Sequence, residues 1–465
     1  MFLFQISPIV RQVVASTSAS WVMMAIMTTW SFSTIALPQM ALPGSPINFT
    51  TEQASWFASM PFITNIPGCL VSGPLCEWVG PRRLMLSLAP VLCLTTALMG
   101  AASWRLLQKA VAPEVFLLIV RTLQGGVQAL IMPIVYVYIY EVCDTRHRGT
   151  LISLLDFWGT LSSPVCCLAG CYLDWATVAQ VMSALTFVPS LIGLLLSPES
   201  PAWMLKKGRE TEALKSLAQL RSSEDEIRDE VKVITESSQN DGSFRQIRQL
   251  LRKRSNVLAT VYATFMLVFK ELTGISVVFV FMLQIFQMSG VGLDPCLSSV
   301  IAGVAQCVFK GLASLSIHYL PRKPLLLVGI AFSAAATGSL GAFFFMKNSG
   351  EDVSRLEWLP LLSVVVFMVF YAWAVGPTTW TATIEALPGP MRSIGFSFAA
   401  AWYSAVAFTL SMTFENGEPA ITLHGMFWVY AAGSIAYGIF IIIFVKETYG
   451  CTLSDIESYW QKFDK

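Results

Sequence analysis

Long apolar runs alternate with short polar breaks along the chain, and most of the runs are long enough to cross a bilayer. A spanning helix needs about 20 mostly apolar residues. Six segments meet that need near residues 15–37, 54–76, 83–102, 114–138, 150–171 and 175–196. Six more lie near 257–288, 296–318, 324–346, 359–384, 393–414 and 424–445. Between the two sets is a polar stretch, Glu199 to Ser255, containing "SSEDEIRDEVKVITESSQNDG". Its charges recur at helical spacing, which predicts short cytosolic helices. The pattern predicts an all-α membrane protein of twelve transmembrane helices. It divides into a first six-helix bundle at 1–198, a central loop at 199–255, a second six-helix bundle at 256–446 and a cytosolic tail at 447–465.

Composition agrees: the 465 residues are 55% hydrophobic and 13% charged, with a mean hydropathy of +0.62. A soluble domain carries about 25% charged residues. The placement of charge is informative where the net charge is not. If both termini are cytosolic, the inner loops hold Arg82, Arg83, Arg146, Arg148, Arg322, Lys323, Arg392 and the basic "LRKRS". The outer loops then hold Arg105, Lys109, Lys347 and Arg355. Basic residues favour the cytosolic side, so both termini are expected there. In that topology Asn48, in the sequon Asn48-Phe49-Thr50, falls in the first outer loop as a glycan acceptor. No cleavage pattern follows the first apolar run, which is expected to stay as a helix.

Ten cysteines show no CxxC spacing, and Cys166, Cys167 and Cys171 sit in an apolar run, so buried fillers are expected in preference to disulfides. His147, His318 and His424 are far apart in sequence, which gives no sign of a metal site. The chain has no nucleotide loop and no Ser-His-Asp order, so neither an enzyme nor a cofactor is expected.

The two halves echo each other. "EVCDTRHR" sets Glu141 seven residues before Arg148, and "EALPGPMR" sets Glu385 seven residues before Arg392. The shift is 244 residues for both members, 141 to 385 and 148 to 392. "GPRRLML" after the second run is echoed by "LPRKPLLL" after the eighth. Such internal symmetry is the mark of repeats that rock against one another.

At these residues the chain resembles the sugar porter branch of the major facilitator superfamily, in particular the facilitated trehalose transporters. "SPESPAWMLKKGRETEAL" and "VKETYGCTLSDIE" look like that family's PESPR-W-L and PETKG elements, with Glu199 and Glu447 as the matching acids. "RTLQGG", "YIYEVCDTRHRG" and "GPTTWTATIEALPGPMR" supply Arg121, Glu141, Arg148, Gly376, Pro377, Trp380, Glu385 and Arg392. The resemblance implies a sugar site near the bilayer midplane between the bundles, with Trp380 offering a ring face to the sugar. It also implies an inner-end network of Arg82, Arg83, Glu141, Arg148, Glu199, Arg322, Lys323, Glu385, Arg392 and Glu447 that closes the outward-facing state. The partners implied are a sugar or polyol and the lipid bilayer, with no nucleic acid, for a monomeric facilitator in the cell membrane.

The pattern breaks in the pocket. Sugar porters present Q-Q-x-S-G-x-N on the seventh helix; here the segment reads Lys270, Glu271, Leu272, Thr273, Gly274, Ile275, Ser276. Asp156 replaces the fifth-helix glutamine, whereas Gln306 keeps the eighth-helix amide, and Ala401 stands before Trp402 where the family has Asn. The DxxGRR element has drifted to Glu77-Trp-Val-Gly80-Pro81-Arg82-Arg83, and PETKG to Lys446-Glu447-Thr448-Tyr449-Gly450. Lys270 and Glu271 either hold a polar solute or brace two helices, since charge in a bilayer core costs about 2.5 kcal/mol or more. Asp156 is a candidate partner for Lys270, and Lys310 a candidate counter-charge for Glu271. The family's proton symporters pair the fourth-helix Arg with a first-helix Asp. "WVMMAIMTTWSFSTIALPQM" has no acid, which leaves Arg121 without that partner and favours a facilitator. Two alternatives remain: a proton-coupled transporter of another polar solute, with Asp156 or Glu271 carrying the proton, and a sugar sensor, which the short tail disfavours.

Overall fold

In the first half of the computed structural model, helices run over Pro8–Met40 (α1), Thr51–Val79 (α2), Pro81–Ala101 (α3), Pro113–Val142 (α4), Arg148–Tyr172 (α5) and Trp175–Leu196 (α6). Three shorter ones follow, Pro201–Lys206 (α7), Glu210–Leu220 (α8) and Glu224–Ser238 (α9). The second half holds Arg254–Leu272 (α10), Ile275–Val280 (α11), Met282–Ser289 (α12), Pro295–Ser316 (α13) and Arg322–Asn348 (α14). It ends with Leu359–Phe370 (α15), Gly376–Ala386 (α16), Arg392–Asn416 (α17) and Leu423–Phe444 (α18). The structure describes residues 7–42, 45, 47, 49–104, 112–144, 147–221, 223–238, 253–290, 292–316, 319–388, 392–416, 422–447, 459–460 and 462.

These elements make twelve spans, α1 to α6 and then α10–α12, α13, α14, α15–α16, α17 and α18. Ten of them are long and apolar enough to be recognised by hydropathy alone among the described residues. Two spans are interrupted. The seventh breaks after Glu271, where Gly274 takes a left-handed φ of 84° and a Cβ would meet the Tyr430 ring at 2.6 Å. The tenth widens into a π-turn at Tyr371–Val375, directly before Gly376 and Pro377. Pro377 has no N–H, so the ordinary bond to Trp373 four residues back is missing and the ladder loosens there.

Apolar side chains such as Leu123, Leu195 and Ile443 stay exposed on the bundle exteriors, where lipid takes the place of a protein neighbour. The core itself is asymmetric along the spans. One cluster joins both halves, uniting Phe32, Ile35, Phe57 and Met182 with Phe281, Phe286, Phe367 and Phe427. It fills the end at which α1, α3 and α5 finish. At the opposite end the cores are separate: Met85, Tyr138 and Leu155 belong to the first bundle, Leu326 and Tyr437, and Ala263 and Leu387, to the second. The bundles are therefore fused at one end and split at the other. The split end carries Arg82 and Arg322 and is called the arginine end below.

The central helices dock on the first bundle. Trp203 Nε1 donates to the Glu77 carbonyl at 2.8 Å and Gln12 Nε2 to the Leu220 carbonyl at 2.7 Å. Arg221 meets Glu230 at 2.6 Å and the Val142 carbonyl at 3.0 Å.

One sequence expectation is overturned here. Cys171, at the end of α5, is bonded to Cys296, at the start of α13, with Cα atoms 5.7 Å apart. Apolar flanks suggested a filler, but the flanks carry no information about which helix ends meet. Cys166 and Cys167 are free and fully buried.

Candidate functional site

The interrupted spans set the site. α10 ends at Leu272, two residues before the break at Gly274, so Lys270 lies in the last turn of a helix, an end that favours cations. Its ammonium is buried, 1% exposed, and lies 4.5 Å from the centroid of Trp380 and 4.2 Å from that of Tyr403. Cation–π contacts with two rings replace part of the lost hydration. Trp380 comes from α16, just past the π-turn, and packs edge-on against Tyr403 of α17 at 5.7 Å. Tyr403 was not foreseen; it follows Trp402, which turns outward and is 52% exposed.

Glu271 is wholly buried, and among the described residues neither carboxylate oxygen makes a hydrogen bond of ordinary geometry. Ser276 lies beside it, and Tyr371, Tyr403 and Tyr430 are within electrostatic reach. No ion pair joins Lys270 to Glu271 among the described residues, since neighbouring helical side chains diverge by about 100°.

Asp156 takes a different partner from the one considered above. Its carboxylate meets Lys310 Nζ at 3.2 Å and accepts from the Tyr136 hydroxyl at 2.7 Å. Lys310 is thus the counter-charge of Asp156 and not of Glu271, and Lys270 is left to the aromatic rings. The Asp156–Lys310 pair connects α5 of one bundle with α13 of the other. Gln306 sits one turn before Lys310, buried at 8% exposure. Further bonds among the described residues cross between the bundles, such as Thr34 Oγ1 to the Phe279 carbonyl at 2.9 Å and Asn65 Nδ2 to Ser404 Oγ at 2.9 Å.

At the arginine end, several bonds between described acids and bases lie within a single bundle. Glu199 accepts from the backbone N–H of Arg82 at 2.9 Å and lies 3.8 Å from the Arg83 guanidinium. Glu447 accepts from the backbone N–H groups of Arg322 and Lys323 at 2.9 and 3.0 Å. Arg322 reaches Glu385 at 3.3 Å, and Ser200 donates its hydroxyl to Glu141. Each bundle therefore ties the segment after its sixth span to the N-terminus of its third, where a carboxylate complements the helix dipole. This explains why "GPRR" and "LPRK" echo together with "PES" and "KET". These described bonds are staples inside each bundle. The Arg148 and Arg392 side chains, and Asn48, lie outside the described residues.

Glu199→Gln and Glu447→Gln should each remove a charge-assisted bond and lower stability by about 1–2 kcal/mol. The reading is a fall in the thermal midpoint of purified protein, and an unchanged midpoint in both variants counts against the staple.

Arg121 is the largest fully buried side chain, at 1% exposure. It donates to the Phe57 carbonyl at 3.1 Å, the Thr29 carbonyl at 2.6 Å, Gln124 Oε1 at 2.7 Å and the Ser33 hydroxyl, and lies over the Phe57 ring. Neutral acceptors on α1, α2 and α4 stand where a first-helix acid is missing.

Comparison with known proteins identifies the assembly. The family described as sugar (and other) transporter matches residues 13–460. The facilitated trehalose transporter Tret1 of Culex quinquefasciatus is 32% identical over 96% of this chain and 85% of its own length. Tret1 of Anopheles gambiae is also 32% identical, but this chain spans 55% of that relative's length. Among solved structures, the inward-open xylose transporter XylE of E. coli superposes with a TM-score of 0.77 at 19% identity, covering 98% of this chain and 100% of that one. XylE bound to 6-bromo-6-deoxy-D-glucose gives 0.70 at 21% identity, covering 97% and 99%. The fold is that of the major facilitator superfamily, a multi-pass membrane protein, and the chain belongs to the sugar (and other) transporter family.

Proposed function

We propose that the protein is a facilitative transmembrane sugar transporter, for trehalose or a hexose, working by alternating access between its two bundles. The observation that carries this reading is the core fused at one end and split at the other, with polar groups of both bundles at the junction. An apolar seal at one end and a gap at the other is the shape of one half of an alternating-access cycle. The arginine end faces the cytosol by the positive-inside rule. A disulfide at the other end supports this, because disulfides persist on the oxidising side of a membrane. The protein acts as a monomer in the cell membrane, and Lys270, Glu271, Ser276, Asp156, Gln306 and Trp380 line the solute path.

Uptake of labelled trehalose, glucose, fructose, an organic cation and an organic anion in expressing cells tests the reading. With a thiol reductant present outside the cells, sugar should enter until inside and outside concentrations match, with no response to a protonophore. Accumulation that collapses with the proton gradient would instead promote Asp156 or Glu271 to proton carrier. A second reading, a polar solute other than a neutral sugar, is favoured by one observation. The Lys270 ammonium already covers the Trp380 face on which a sugar would stack. Selective uptake of the cation or anion would establish it.

A further inference from the structure

The fused end of the molecule is also joined covalently, and by residues of opposite bundles. Cys171 belongs to the last turn of α5 and Cys296 to the first turn of α13. From that bridge the same two helices stay in contact toward mid-span. Gly303 lies so close to Pro164 that a Cβ there would meet the ring at 3.2 Å, and Lys310 reaches Asp156 at 3.2 Å. On the other side of the interface, Trp56 of α2 packs on Phe408 of α17 at 5.8 Å, and Asn65 bonds Ser404 further along the same two helices.

A transport cycle requires this end to part. The bonds that hold it are otherwise weak ones, of a kind that break and re-form at about 1 kcal/mol each. The disulfide is different. It holds the Cα atoms 5.7 Å apart, and a disulfide spans at most about 6.8 Å between Cα atoms, so the ends of α5 and α13 have about 1 Å of slack. Passage of a sugar needs several times that.

We infer that Cys171–Cys296 is a redox-modifiable latch: oxidised, it holds the protein closed at this end and open at the arginine end, and a thiol donor must reduce it before the end opens. The inference rests on the alternating-access reading. In the reaction, a thiolate RS⁻ attacks one sulfur and the S–S bond breaks, forming a mixed disulfide and one cysteine thiolate. A second thiol displaces the other cysteine and leaves as RSSR. Two electrons pass from the thiol pair to the protein, and the two cysteine thiolates take up the two protons. Both cysteines are half-buried, next to Tyr172 at 83% exposure and the exposed Leu173, Asp174 and Asp294, so a small water-borne thiol reaches the bond.

The test uses full-length purified protein in lipid nanodiscs. Non-reducing peptide mapping should recover a cross-linked peptide containing Cys171 and Cys296. Hydrogen–deuterium exchange is then followed with and without dithiothreitol. Reduction should speed exchange about tenfold in residues 275–289 and 404–414, which seal the fused end, and leave 81–101 unchanged. Cys171→Ser and Cys296→Ser should exchange at the reduced rate without reductant and ignore its addition. If either variant fails to fold, the wild-type response to dithiothreitol still decides. Absence of the cross-linked peptide, or identical exchange in the oxidised and reduced protein, overturns the latch. The readout needs no solute, so the two proposals fail separately. Opening on reduction without sugar uptake sinks the transport reading alone, and undiminished uptake by oxidised protein sinks the latch alone.

Discussion

Arg121→Leu is expected to leave almost no folded protein at the cell surface. The guanidinium satisfies four acceptors that belong to three helices, and all of them are shielded from water and lipid. Each acceptor left dry costs about 1–3 kcal/mol, so the loss approaches the whole stability of an ordinary domain, about 5–15 kcal/mol. Arg121→Lys keeps the charge but has no planar fork to reach several acceptors at once, and should show an intermediate surface level. Surface biotinylation of both variants reads the effect. A normal surface level for Arg121→Leu together with lost uptake would instead make Arg121 a transport residue, with no part in holding the bundle.

The second large effect is expected at Lys270 and Glu271. Lys270→Gln removes a cation that helps balance a wholly buried carboxylate, and Glu271→Gln removes the carboxylate from beside a buried ammonium. Each single change leaves one buried charge without the opposite charge at the adjacent position, and should depress surface level. The double change puts back an amide pair, which donates and accepts at once, and frees the Trp380 and Tyr403 faces. It should restore surface level and raise hexose or trehalose uptake about tenfold. A restored surface level with unchanged uptake would show that the two residues brace the helices and take no part in binding.

How far these sites were legible differs from residue to residue. Lys270 and Glu271 announced themselves, because charge inside an apolar run has to be compensated by something. What compensates it was not readable. Asp156 was a reasonable partner for Lys270 by alignment of helices, yet Asp156 turns to Lys310 and Tyr136, and Lys270 to two aromatic rings. Tyr403 and Trp402 are adjacent in the chain, and only helix rotation decides which one faces the site. The repeated acids and arginines were found by spacing alone, but spacing is silent on whether a bond stays in one bundle or crosses to the other.

By itself the sequence determined the spans, the two sets of six, the polar central segment and the family. Each of these follows from local physics, since about 20 apolar residues must form a hydrogen-bonded helix in lipid and basic residues settle on one side. Tertiary structure decided the rest: the broken seventh span, the fused and split ends, the Asp156–Lys310 pair and the Cys171–Cys296 bond. These depend on how helices far apart in sequence rotate and approach, with 125 residues separating the two cysteines. A hydropathy pattern records how apolar a helix is and leaves open which neighbour each of its side chains will meet.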